Sequence, residues 1–115
     1  NFQEAKIKAI KILSKLGLSK RLDHFPSELS GGENQRVAIS RALINSPDII
    51  LADEPTGSLD QKNSEAIFNL LLNLKDKNRT IIFATHNLYF AKMADFQLKL
   101  TNGKITKYNA RDIKK

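Results

Sequence analysis

Pro47-Asp48-Ile49-Ile50-Leu51-Ala52-Asp53-Glu54-Pro55-Thr56-Gly57-Ser58-Leu59-Asp60 is the stretch on which the fold turns. Ile49 to Ala52 is a short apolar run with no polar alternation, the pattern of a strand covered on both faces. Asp53 and Glu54 stand at its carboxyl end. After a Pro/Gly loop, Asp60 is placed to cap a helix whose Ile67, Leu70, Leu71 and Leu74 recur at i, i+3, i+4 and i+7. Thr80 to Ala84 repeats the buried-strand pattern, and His86 follows its end. Strand, helix and strand in this order predict a parallel pair joined by a right-handed crossover. Parallel strands share one carboxyl edge. Asp53, Glu54 and His86 are therefore expected to converge on a crevice of the kind in which open α/β sheets bind ligands.

Working outward, Ser30-Gly31-Gly32 precedes a helical segment expected to reach about Asn45, closed by Pro47. Apolar residues from Val37 to Ile44 fall almost all the way round it, which predicts burial. Phe2, Ala5, Ala9, Ile12, Leu13 and Leu16 recur at helical spacing, so a further helix is expected over 3–16, with Gly17 as its stop. A short segment from Ser19 to His24 follows and is expected to end at Pro26. Toward the other terminus, Phe96, Leu98 and Leu100 alternate with polar residues. Asn102-Gly103 then predicts a tight turn into Lys104 to Tyr108, a hairpin with one wet face. Residues 109–115 are polar and basic, the pattern of a frayed end.

At 115 residues the chain is one small domain by length. Its apolar stretches reach only four or five residues, far short of the roughly twenty that a spanning helix needs. No charged-then-apolar leader opens the chain. The absence of cysteine excludes disulfides and thiolate metal sites and fits a cytoplasmic protein. The net charge of +7 sits at the two ends, from Lys6 to Arg21 and from Lys99 to Lys115. No aromatic residues are interleaved with these lysines as a stacking platform for bases needs, so a solvated surface is the reading and no nucleic-acid partner is expected.

Each candidate residue has a plain structural explanation when taken alone. Asp53 and Glu54 could form an acidic turn before a helix, His86 could be a satisfied histidine at a strand end, and Ser30 could be an N-cap. The chemical reading is sharper. One carboxylate can hold Mg²⁺, usually through water, while the other accepts a proton from an attacking water. Imidazole can donate to phosphate. Bare N–H groups at Ser30-Gly31-Gly32, at the positive end of a helix, suit an anion.

The motifs together decide the matter. Leu29-Ser30-Gly31-Gly32-Glu33, continued by Gln35-Arg36, resembles the signature motif of ABC ATPases, with Glu33 where many members carry glutamine. Ile49 to Glu54 resembles their Walker B strand, Pro55 to Asp60 their D-loop, and Ala84-Thr85-His86 their switch-histidine loop. All four occur in the family's order and spacing, and the resemblance covers about residues 1 to 108. It implies an α/β fold: a partial P-loop NTPase, with a parallel βαβ core and a C-terminal hairpin. Residues 1–30 would be a remnant of the helical subdomain and 31–115 the C-terminal part of the ATPase core.

The resemblance also implies roles. ABC ATPases form head-to-tail dimers with two ATP molecules at the interface. Asp53 would organise the Mg²⁺ shell, Glu54 would be the general base and His86 would contact the γ-phosphate. Ser30, Gly31, Gly32 and Glu33 would belong to the loop that meets the partner's ATP, and Asp60 would couple the two sites. The stretch Ala52 to Gly57 resembles the subfamily of lipoprotein-releasing, macrolide-export and cell-division ATPases. The expected partners are a second ATPase subunit and an integral membrane permease, at the cytoplasmic face of the cell membrane. Soluble relatives acting in translation or DNA maintenance are the alternative. The latter carry a long coiled coil or cysteine zinc sites, and neither pattern is present in these residues.

A phosphate-binding loop needs G-x-x-x-x-G-K-[ST]. The glycines are Gly17, Gly31, Gly32, Gly57 and Gly103, and no two are five apart. The chain starts at Asn1 rather than methionine, and the family's glutamine loop is also absent. The expectation is half a nucleotide-binding domain, inactive alone, with a bare apolar strand edge between 80–84 and 96–100. Such an edge invites self-association or a rearranged sheet.

Overall fold

The computed structural model describes residues 1–108, so the expected frayed end at 109–115 lies outside the described residues. Two compact units are present, Asn1–Phe83 and Ala84–Lys115. The division expected at residue 30 rests on the family's organisation alone, and that boundary lies inside the first unit.

The first helix, α1 (Phe2–Lys15), starts at Asn1, whose side-chain oxygen accepts the Gln3 and Glu4 N–H groups at 2.8 and 3.3 Å. It stops as the sequence predicts. Gly17 takes φ +84°, the Leu18 N–H reaches the Leu13 carbonyl at 2.9 Å, and the Gly17 N–H reaches Ser14 at 3.1 Å. That pair of bonds is a Schellman stop, and Leu18 is buried beneath it. Pro26, expected to end the next segment, instead opens a 3₁₀ turn, Pro26–Glu28. Its fixed φ and missing N–H suit a first helical position.

The second helix, α2 (Gly31–Leu43), is two residues shorter than expected. Ser46, in the left-handed region at φ +50°, closes it with its N–H on the Leu43 carbonyl at 2.9 Å. Burial all the way round does not hold: Gly32, Ile39 and Ser40 are buried, whereas Ala38, Arg41 and Ala42 are exposed. Alanine loses little by facing water, so an apolar circumference made partly of alanines does not force burial.

β1 (Ile49–Asp53), α3 (Gln61–Leu74) and β2 (Thr80–Ala84) form the expected βαβ unit, with β1 and β2 paired in a parallel sheet. Arg79 ties its lower end, donating to the Pro47 carbonyl at 3.1 Å and the Leu74 carbonyl at 3.4 Å. The core gathers Leu16, Ile39, Ile67 and Leu71, ringed by Ile12, Leu43, Ala52, Leu59, Leu70 and Leu74. Phe68 is buried and meets Phe83 edge-on at 5.0 Å, which seats α3 on β2.

Only one face of this sheet is covered among the described residues. Ile50 is buried and Ala52 packs on the core, while Ile49, Leu51 and Ile82 are 59%, 75% and 54% exposed. The apolar run promised two covered faces, but successive side chains point to opposite sides and α3 reaches one side. Among the described residues β2 pairs with β1 and with no second strand.

In the second unit, α4 (Leu88–Ala91) is capped by Asn87, whose oxygen accepts the Tyr89 and Phe90 N–H groups at 2.9 and 3.4 Å. β3 (Gln97–Thr101) and β4 (Lys104–Tyr108) form the predicted antiparallel hairpin. Asn102 and Gly103, at φ +51° and +74°, make the two-residue turn that matches strand twist. Leu98, Leu100 and Ile105 are exposed along with Lys99 and Thr101, so the apolar face expected to be covered is open, and only Gln97 of β3 is buried.

Candidate functional site

The turn before α2 is held by a reciprocal cap. Ser30 Oγ accepts the Glu33 N–H at 3.1 Å, and Glu33 Oε1 accepts the Ser30 N–H at 3.0 Å. Glu33 Oε2 accepts Arg21 Nε at 2.8 Å, and Asn34 Nδ2 donates to the Pro26 and Leu29 carbonyls at 3.1 and 3.3 Å. Both Glu33 oxygens are thus engaged within the chain. Arg21 and Asn34 escaped the sequence reading, because their partners, twelve residues away for Arg21 and five and eight for Asn34, leave no periodic trace.

The Ser30 N–H and the Arg21 guanidinium hold the Glu33 carboxyl below its ordinary value of 4.5. The cap should therefore keep its full contribution above about pH 4.5 and lose it as pH falls through the lower folded value. In an NMR titration Arg21→Ala should raise the Glu33 midpoint and still leave it below 4.5, because the Ser30 bond remains and is the larger cause. An unchanged midpoint would mean that the ion pair does not form in solution.

The two glycines permit a close approach. A Cβ on Gly31 would stand 3.1 Å from the end of the Leu59 side chain, and one on Gly32 would stand 3.1 Å from Asn63 Oδ1. The signature turn therefore lies against the loop and helix start that follow β1. Asp60 caps α3, accepting the Asn63 N–H at 2.9 Å, as predicted.

Asp53 ends β1 exposed to solvent, and Glu54 follows half-buried with φ +44°. The Gly57 N–H returns to the Glu54 carbonyl at 3.1 Å, with Pro55 at the first corner of that turn. Ser64 Oγ reaches the Thr56 and Leu59 carbonyls, each at 3.3 Å, and Gln35 Nε2 reaches the Pro55 carbonyl at 2.8 Å. Among the described residues no group of three His, Cys, Asp or Glu side chains could hold a metal alone. A single strand-end carboxylate still fits Mg²⁺, which keeps most of its waters and takes one or two carboxylates plus substrate phosphates. His86 is exposed, two residues beyond β2, and belongs to the second unit. No helix among the described residues is long and apolar enough to cross a membrane.

This combination of a capped Ser-Gly-Gly turn, a carboxylate-tipped parallel strand and the loop between them defines a class, and sequence comparison agrees. The chain is similar to the ABC transporter family: the profile of that family, described as ABC transporter, matches residues 1–57. Among individual proteins, it is 50% identical over 111 residues to the lipoprotein-releasing system ATP-binding protein LolD 2 of Chlorobium chlorochromatii (strain CaD3), covering 96% of this chain and 46% of that one. It is 43% identical over 110 residues to the macrolide export ATP-binding/permease protein MacB 2 of Yersinia pestis bv. Antiqua (strain Antiqua), covering 96% and 16%. Two solved structures agree in fold. An ATP-binding cassette solved as a dimer in a post-hydrolysis state with ADP and Pi gives a TM-score of 0.78 at 38% identity, covering 96% of this chain and 49% of that one. A second cassette of an ABC transporter gives 0.79 at 35%, covering 93% and 44%. The chain spans about half the length of the curated LolD relatives it matches.

Proposed function

We propose that the chain is the carboxyl-terminal part of the ATP-hydrolysing subunit of an ABC transporter, acting with a membrane permease at the cytoplasmic face of a membrane. The observation that carries this reading is the meeting, in one compact unit, of the signature turn with the loop that follows the Asp53-Glu54 strand end. In this reading Ser30, whose hydroxyl hydrogen stays available while its oxygen caps α2, donates to the γ-phosphate of an ATP held mainly by a second subunit. The N–H groups at Gly31 and Gly32 face the same phosphate at the positive end of α2. Asp53 would hold Mg²⁺ through water, an ion that would supply neutralisation of charge on the phosphates. Glu54 takes the proton of the attacking water, and His86 donates to the γ-phosphate. Asp60 spends one oxygen on its own helix and keeps the other for the partner subunit.

Mg-ATP hydrolysis tests the reading. The 115 residues alone should show no turnover, since they contain no phosphate-binding loop. Mixing or fusing them with the amino-terminal half of a lipoprotein-releasing relative should restore it. Failure of every such pairing, with both pieces folded, would overturn the assignment.

The uncovered sheet face also bears on the isolated chain. Ile49, Leu51 and Ile82 present an apolar strip beside the open edge of β2, which favours self-association. Light scattering should give a mass above that of the 13.0 kDa monomer, shifted toward it by Leu51→Glu. A monodisperse monomer at micromolar concentration would rule this out.

A further inference from the structure

Glu54 sits at φ +44°, where a side-chain-bearing residue is strained, and Pro55 follows it. Such a backbone persists only where its surroundings over-determine it. The local bonds are modest: a turn from Glu54 to Gly57 at 3.1 Å and another from Thr56 to Leu59 at 3.1 Å. Pro55 is buried and contributes no N–H, yet its carbonyl still needs a donor. Gln35 supplies one. Its Nε2 donates to the Pro55 carbonyl at 2.8 Å across twenty residues of chain, from the second turn of the helix that opens at Ser30. Ser64, buried on α3, holds the next carbonyl along, that of Thr56, at 3.3 Å.

We infer that Gln35 is a positioning residue for Glu54: its bond to the Pro55 carbonyl holds the left-handed turn that aims the carboxylate. The inference rests on the proposed role of Glu54 and adds a consequence. In a head-to-tail dimer Ser30 to Gly32 would serve one nucleotide and Glu54 the other. Gln35 would then fasten the seating of the signature helix at one site to the base at the second site of the same subunit. A phosphate gripped at the Ser30 turn would be felt at Glu54 through one side chain and one carbonyl. The alternative is an ordinary part-buried hydrogen bond that steadies the loop without aiming anything.

The test uses Gln35→Met, which keeps the length but cannot donate, and Gln35→Glu, which when ionised sets an acceptor against an acceptor. In the chain itself, the carbon chemical shifts of Glu54 should leave left-handed values in both variants, while residues 36–43 keep helical shifts. With turnover restored by an amino-terminal half, kcat should fall by about tenfold to a hundredfold, the scale of a small misplacement of a catalytic group, with KM for ATP unchanged. Unchanged Glu54 shifts, an unchanged kcat, or loss of the α2 helical shifts in both variants would each overturn the inference. Glu54→Gln is measured alongside. If it retains turnover, the reading of Glu54 fails; if it is dead while Gln35→Met is fully active, that reading stands and the positioning role fails.

Discussion

Glu54→Gln is expected to abolish ATP turnover, by roughly a hundredfold to ten-thousandfold, the range that general-base catalysis supplies, in the chain complemented with an amino-terminal half. The amide has the shape of the carboxylate and can occupy the same left-handed position after β1, so the turn to Gly57 should survive. What it loses is the capacity to take a proton from water. Asp53, exposed at the strand end, is untouched, and nucleotide with its ion should still bind. Trapped, unhydrolysed ATP on a folded protein is therefore the expected state, read by single-turnover kinetics and by nucleotide retained on a desalting column. Turnover comparable to the parent would remove Glu54 from the mechanism and leave the proton acceptor to be sought elsewhere.

Phe68→Ala is expected to have the largest effect on stability, a loss of about 3–5 kcal/mol, typical for truncating a buried aromatic residue. Phe68 is 1% exposed and meets Phe83 edge-on at 5.0 Å, so it joins the crossover helix to the second strand of the sheet. A small domain has only about 5–15 kcal/mol in total. The variant should therefore unfold at much lower urea, with a melting temperature down by about 4–8 °C for each kcal/mol lost. Ile82→Ala is the control, since Ile82 lies on the exposed face of β2. At dilutions where the chain is monomeric its effect should be within about 0.5 kcal/mol, as for surface changes generally. Equal losses at the two positions would mean that the uncovered face is buried in solution, and the mass by light scattering would then say whether a second copy covers it.

The contrast between those two residues shows what was legible from the chain. The apolar run Thr80 to Ala84 put Ile82 in a strand covered on both faces, and the helical spacing of Ile67, Leu70, Leu71 and Leu74 passed over Phe68, yet Phe68 is buried and Ile82 exposed. Element types, and those ends that one residue fixes, were read well because their causes are local. Asp60 caps a helix three residues away, Gly17 stops one by adopting a φ that other residues resist, and Asn102-Gly103 turns a hairpin within two residues. Strand–helix–strand order likewise required a parallel pair. The motifs that carry the family resemblance were legible for the same reason, since each is a short stretch of neighbouring residues.

What the sequence by itself determined is therefore the order of elements, the βαβ connection and the residues that tip its strands. Tertiary structure decided which face of each element is covered and how the motifs are held. Gln35 finds Pro55 twenty residues away, Arg21 finds Glu33 across twelve, and Arg79 finds Pro47 across thirty-two. Gly31 and Gly32 acquire their close neighbours Leu59 and Asn63 only when α2 lies on α3. The physical reason is common to all of them. Local hydrogen bonds and fixed backbone preferences act over a few residues and leave a pattern, whereas packing partners are chosen by the folded chain and leave none.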